Sequence, residues 1–183
     1  MARLLVLFLL VTMCSPALAT EAGWALLRTG GQVVFLRHAD TPSAVDPAHF
    51  DLAECSTQQN LSERGGIQAR RIGALFAARA APVDKGLTSA FCRCRDTARL
   101  AFEHTPIEHY EPLDFLPGDE AGNEAKARQL LDFILSYSES GNLVMVVNED
   151  VITRMVNARA REGEAVIVGR EGSSLRVAGR IAF

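Results

Sequence analysis

Apolar residues follow two rhythms along this chain. Two runs are apolar at every position, Val33-Val34-Phe35-Leu36 and Leu143-Val144-Met145-Val146-Val147. Unbroken runs of this length predict strands buried on both faces, as in a parallel sheet. Shorter segments at 86–89 and 107–110 predict two further strands, and 165–168 with 174–177 predict a closing hairpin around the Glu171-Gly172 turn. Between the strands the period becomes helical. Ile67, Ile72, Leu75 and Phe76 form the expected apolar side of a helix from Leu61 or Ser62 to about Ala80. Leu130, Leu131, Ile134 and Leu135 do the same for a helix over 123–138. Shorter helices are expected over 21–29, 92–102 and 151–156, the first stopped by Gly30-Gly31. Residues 40–59 carry Pro42 and Pro47, keep no period, and predict a long loop of the kind that often serves function. Strand–helix alternation with a hairpin at the end predicts a three-layer α/β/α sandwich around a mostly parallel sheet.

At 183 residues the chain fits one domain. Its beginning is expected to stand apart. Arg3, the apolar stretch from Leu4 to Val11 and the small-x-small site Ala17-Leu18-Ala19 predict a signal peptide over residues 1–19, too short in its apolar part to span a bilayer comfortably. The mature domain would be 20–183, exported to a periplasm or the medium, with no stable membrane insertion after cleavage. The net charge of −3 becomes −4 without the leader, with 18 basic against 22 acidic residues. That balance excludes nucleic acid as the main partner and makes any anion site a local one. Export implies an oxidising compartment. Of the three remaining cysteines, Cys55 is expected to pair with Cys92 or Cys94 and leave one thiol free; the alternative is three buried reduced thiols. Cys-x-Cys with one distant cysteine and no histidine at ligand spacing is a poor zinc pattern, and no metal or cofactor is expected.

Chemistry concentrates where the first buried strand ends, in Arg37-His38-Ala39. Ligands of α/β proteins sit beyond the carboxyl ends of such strands. A fixed cation beside an imidazole there suits an anionic substrate and a nitrogen nucleophile. Two further motifs follow in order: Asn60-Leu61-Ser62-Glu63-Arg64-Gly65 with Gln68-Ala69, and Thr88-Ser89-x-x-x-Arg93-x-x-x-Thr97-Ala98. Together these three elements resemble the histidine phosphatase superfamily, and small exported bacterial members in particular, over most of residues 32–156. The resemblance implies the phosphoglycerate-mutase-like fold and a small phosphorylated molecule or inorganic phosphate as ligand. It also implies a nucleophilic His38 that becomes phosphohistidine, with Arg37 and Arg93 binding the phosphoryl oxygens. No metal is needed, because guanidiniums meet the charge of the transferring group.

The resemblance breaks after the late strand. The family's second histidine would stand at residue 148, and this chain has Asn148 followed by Glu149 and Asp150. An asparagine still donates hydrogen bonds but brings no charge. Reduced turnover, or phosphate binding without turnover, is therefore expected. One branch of the family carries its acid directly after the second histidine, which makes Glu149 the first candidate to protonate the leaving group; the alternatives are Glu111 or Asp114, or no dedicated acid. His109 could substitute for the missing histidine if it reached the pocket mouth. Asp40 is expected to shape its loop turn, Arg95 to be solvated or paired, and His49 and His104 to be ordinary surface residues.

Overall fold

The structure, a computed structural model, describes residues 16–43 and 45–183. The expected leader lies outside these residues except for its last four, which begin the first helix. The order is α1 (Pro16–Thr29), β1 (Val33–Arg37), α2 (Glu63–Ala78), β2 (Val83–Thr88), α3 (Cys92–Ala101), β3 (Ile107–His109), α4 (Glu120–Ser136), β4 (Asn142–Val147), α5 (Glu149–Val156), β5 (Ala165–Glu171) and β6 (Ser174–Ile181). The six strands make one sheet in the order β3-β2-β4-β1-β5-β6. β3, β2, β4 and β1 run parallel, β5 pairs antiparallel with β1, and β6 pairs antiparallel with β5 at the sheet edge. The sheet is thus mixed, parallel on one side and closed by the expected hairpin on the other.

The unbroken apolar runs are explained by their central place. Alternate residues of β1 and β4 enter two different cores. Val34, Leu36, Val144 and Val146 pack with Trp24 and Leu27 of α1, Ile72 and Phe76 of α2, and Ala98 of α3. Val33, Phe35, Leu143, Met145 and Val147 pack with Leu130 and Ile134 of α4 and Val151 and Ile152 of α5. With helices on both faces, neither side of these strands can be polar. In α2 the buried residues are Gly65, Ala69, Ile72 and Phe76, whereas Ile67 is 62% exposed. The expected apolar side is corrected at that residue, since Ile67 lies roughly 140° around the helix from Ile72.

The topology opens a crevice over β1 and β4. The chain leaves β1 toward α2 on one face and leaves β4 toward α5 on the other, which is the arrangement that places ligand sites in α/β sheets. The backbone leaving β1 is held on several sides. The amide of His38 donates to Val147 O (3.1 Å), and His38 O accepts from the amide of Gly163 (2.9 Å). The amide of Ala39 donates to Thr97 Oγ1 (3.0 Å), whose hydroxyl in turn donates to Arg93 O (2.7 Å). The amide of Asp40 donates to Gln68 Oε1 (2.9 Å), while Gln68 Nε2 donates to Glu162 O (3.0 Å).

These bonds account for the spacing of the second and third motifs. Ser62 caps α2 by accepting from the Gly65 amide and donates its own hydroxyl proton to the Asp40 carboxylate (2.5 Å). Asp40 therefore orients the cap of α2, beyond the local turn expected of it. Its carboxyl is held below the usual range by the Arg64 guanidinium and then the Ser62 hydroxyl. Gly65 is required because a Cβ there would overlap the Asp40 carbonyl oxygen. Gly65→Ala is expected to destabilise the fold by about 1–3 kcal/mol through this overlap. Chemical denaturation checks it, and an unchanged midpoint would show that the loop yields.

Candidate active site

A cleft of about 420 Å³ opens at the carboxyl ends of β1 and β4, and Arg37, His38, Arg93, Asn148 and Glu149 all line it. Each arrives on a different piece of backbone. Arg37 ends β1 and His38 follows it. Arg93 is in the first turn of α3. Asn148 directly follows β4, and Glu149 begins α5. Residues far apart in sequence meet because β1 and β4 are parallel neighbours, with Arg37 level with Val147.

His38 is 5% exposed. Its Nδ1 lies 2.8 Å from the carbonyl oxygen of Ala39. A carbonyl only accepts, so Nδ1 carries the proton and Nε2 keeps its lone pair. Burial pushes the imidazole pKa down from 6.5 to about 3; the Ala39 carbonyl opposes this, and the Arg93 and Arg37 guanidiniums add to it. The ring is neutral at every ordinary pH. Among the described residues, Nε2 has no hydrogen-bond partner.

Arg93 is buried, Arg37 is partly so, and both are already held. Arg37 donates to Glu149 Oε2 (2.9 Å) and to Ala160 O (2.7 Å), with Glu162 Oε1 at 4.0 Å. Arg93 donates through Nε to Asn148 Oδ1 (2.8 Å) and through a terminal nitrogen to Asp46 Oδ1 (2.8 Å), and its guanidinium lies 4.4 Å over the Phe91 ring. The Arg93 bond fixes the Asn148 amide with its oxygen toward α3. Asn148 Nδ2, a donor, is left without a protein partner among the described residues. The asparagine can therefore offer a neutral hydrogen bond to an anion.

Cys55 and Cys92 form the disulfide, with Cα atoms 5.7 Å apart, and Cys94 is the free thiol. The bond ties the 40–59 loop to the helix turn that carries Arg93. The same junction is reinforced by the Cys92 amide on Gln58 Oε1 (2.9 Å) and the Gln59 amide on Asp46 Oδ1 (2.9 Å). Cys94 is fully buried, and burial pushes its thiol up to about 12, so it stays protonated.

Other candidates stand outside the cleft. His109 is corrected as a replacement histidine: its Nε2 pairs with Asp114 Oδ2 (2.7 Å), away from the cleft lining. Asp114 is committed there and to the Ala90 amide (2.6 Å), and Glu111 faces Lys126 at 3.4 Å. The described structure thus draws both alternative acids away from the site. Arg95 is exposed with a terminal nitrogen 3.3 Å from Cys55 Sγ, and His49 and His104 are exposed. Asp46, Gln59, Phe91 and Glu162 line the cleft without having been singled out from the sequence. Asp46 sits in a segment whose only signal was its length, and Glu162 in a connection with no motif.

Residues 33–115, which carry Arg37, His38 and Arg93, match the family described as Histidine phosphatase superfamily (branch 1). Asn148 and Glu149 lie beyond that match. The fold is the phosphoglycerate-mutase-like one. Phosphoglycerate mutase from Thermus thermophilus superposes with a TM-score of 0.57 at 18% identity, covering 83% of this chain and 99% of that one. An alpha-ribazole phosphatase from Shigella flexneri gives 0.62 at 16% identity, covering 82% and 96%. The protein histidine phosphatase SixA, solved with tungstate, gives 0.58 at 15% identity, covering 82% and 96%. No curated protein matches the chain.

The state of His38 carries a stability prediction. Below about pH 6.5 the unfolded chain binds a proton that the folded chain refuses until about pH 3. Stability therefore falls as pH drops through that window, by a few kcal/mol at most, on the order expected from linkage. His38→Gln lacks this penalty and should lose less stability than the wild type between pH 7 and 4. Parallel stability–pH curves for the two proteins would contradict a buried neutral imidazole.

Proposed function

We propose that this protein is a phosphohydrolase of small phosphomonoesters that works through a phosphohistidine at His38, with turnover lowered by Asn148. The observation that carries the reading is the buried imidazole with Nδ1 bonded and Nε2 free, lying in one cleft with two guanidiniums. Nε2 attacks phosphorus and the ester P–O bond breaks. The leaving alcohol takes a proton, for which Glu149 is the proposed donor, in line with general acid catalysis. Water then attacks phosphorus and gives a proton to the Glu149 carboxylate, the P–N bond breaks, and phosphate leaves with His38 neutral and Glu149 protonated again. Arg37 and Arg93 carry the charge on the phosphoryl oxygens, and Asn148 Nδ2 adds a neutral hydrogen bond. Arg37 Nε, buried without a partner among the described residues, is a donor open to a phosphoryl oxygen, and Glu149 gives its proton only from the protonated form, off Arg37.

A second reading is a phosphate- or phosphoester-binding protein without turnover. The pairing of both arginines with carboxylates favours it, because a ligand gains only the difference between its own contacts and those it displaces. In either reading the chain is proposed to act outside the cytoplasm after removal of residues 1–19. The Cys55–Cys92 bond supports an oxidising compartment.

Hydrolysis of an aryl phosphate, compared across wild type, His38→Ala and Asn148→His, tests the proposal. Slow wild-type hydrolysis should vanish in His38→Ala and rise in Asn148→His by about 10²–10³, the usual effect of one charge-stabilising contact in such a site. Activity appearing only in Asn148→His would select the binding-protein reading. Wild-type activity that survives His38→Ala would overturn the phosphohistidine route.

A further inference from the structure

The lining of the cleft changes character from Arg37 to Arg93. Around Arg37 it is acidic, with Glu149 at 2.9 Å and Glu162 at 4.0 Å. Around Arg93 it is largely aromatic and aliphatic. The Arg93 guanidinium lies 4.4 Å over the Phe91 ring, and Phe91 tilts against half-buried Phe50 with ring centroids 5.5 Å apart. Asp46 is also here, tied to Arg93 at 2.8 Å and to the Gln59 amide at 2.9 Å. The apolar lining continues through Val45, Pro47, Ala48 and Pro117, all of them exposed.

One exposed apolar side chain is ordinary in a soluble domain, whereas several that converge on one concave site mark contact with a ligand. Val45 and Ile67 are the large apolar side chains left open to water among the described residues, at 73% and 62%. Ile67 stands on the outer surface of α2. Val45 stands in the cleft, with Pro47 and Ala48 beside it in sequence and Pro117 reaching the same lining from another segment. None of these side chains carries a donor or acceptor.

The charges narrow the ligand further. Among the described residues lining the cleft, the cations are Arg37 and Arg93, and the proposed phosphate seat uses both. Arg154 is committed to Glu120 and Glu124, and exposed Arg159 lines an adjoining groove. A second anionic group on the ligand would find no cation and would meet the carboxylates of Glu149, Asp150 and Glu162, which repel it. There is room beyond the phosphate. A water takes about 30 Å³ of liquid volume, so a cleft of about 420 Å³ holds more than the five heavy atoms of that group.

We infer that the ligand of this cleft is a phosphomonoester whose organic part is uncharged, apolar and about the size of an aromatic ring. Its phosphate lies on Arg37 and Arg93 beside His38, and its organic part lies on Val45, Pro47, Ala48, Phe50 and Pro117. This names the substrate class for the function proposed above and rests on that reading. Val45 and Pro117 are then specificity-determining residues that touch the organic group and not the reacting atoms.

The test is calorimetric titration of the full chain with inorganic phosphate, methylphosphonate, phenylphosphonate and phosphonoacetate, whose P–C bonds the proposed chemistry does not cleave. Phenylphosphonate is expected to bind roughly tenfold more tightly than methylphosphonate, as a ring half-covered by apolar wall should. The ratio should hold as salt rises, and the heat-capacity change should be more negative for the phenyl compound. Phosphonoacetate, with its second anion, should bind most weakly of the three phosphonates. In Val45→Ser/Pro117→Ser the phenyl-to-methyl ratio should fall to about threefold or less. Both side chains are exposed, and a melting curve verifies that the variant is folded. With inorganic phosphate still bound by wild type, three results would each overturn the ligand class alone: a ratio near one, phosphonoacetate binding as tightly as phenylphosphonate, or a ratio unchanged in the folded variant. Failure of wild type to bind inorganic phosphate or any phosphonate would overturn the phosphate seat and the inference together.

Discussion

The carbonyl oxygen of Ala39 takes the Nδ1 proton of His38, and the chemistry of the cleft hangs on that bond. It sets the tautomer, so that the lone pair lies on Nε2, and it sets the ring plane. No carboxylate shares the task among the described residues; the orienting group is backbone, one residue along. The position of that backbone is in turn set by Thr97 on the Ala39 amide, by Gln68 on the Asp40 amide, and by Val147 and Gly163 on His38 itself. Burial then keeps the ring uncharged. The Arg93 and Arg37 guanidiniums beside it push in the same direction.

The arginines are themselves constrained by what pairs with them. Guanidiniums withdrawn from water without partners would cost several kcal/mol each. Glu149 and Asp46 pair with them, while Arg37 Nε stays buried without a partner among the described residues; in the proposed function the same carboxylates compete with an incoming anion. Site preorganisation and ligand competition are here one and the same set of contacts. The disulfide strengthens this coupling by fastening the loop of Asp46 to the helix turn of Arg93. Closing a loop of 37 residues contributes about 4 kcal/mol in the chain-entropy account.

Much of the fold was legible because the two central strands bury both faces, and an unbroken apolar run such as Leu143 to Val147 fits little else at that length. The period of 3.6 in α2 and α4 and the glycine stop after α1 were legible for similar local reasons. Ile67 misled because an apolar residue can sit exposed next to a real stripe. In the site, His38, Arg37 and Arg93 were legible from motif and strand position, and Asn148 and Glu149 from their place directly after β4. Asp46 and Glu162 were not, because their role arises from tertiary placement of irregular segments that carry no period. The choice of Cys92 over Cys94 for Cys55 was equally closed to sequence. Neighbours two apart on a helix face different ways, and only the packed helix shows that Cys94 points into the core.

The proposed phosphoryl seat of His38 Nε2, Arg37 and Arg93 has carboxylates on both of its arginines. A crystal structure of the chain grown with tungstate tests it most directly. Tungstate is expected within bonding reach of His38 Nε2, its oxygens on Arg37, Arg93 and Asn148 Nδ2, with the Glu149 and Asp46 carboxylates moved off their arginines. Tungstate bound elsewhere, with both carboxylate–arginine pairs intact, would contradict it.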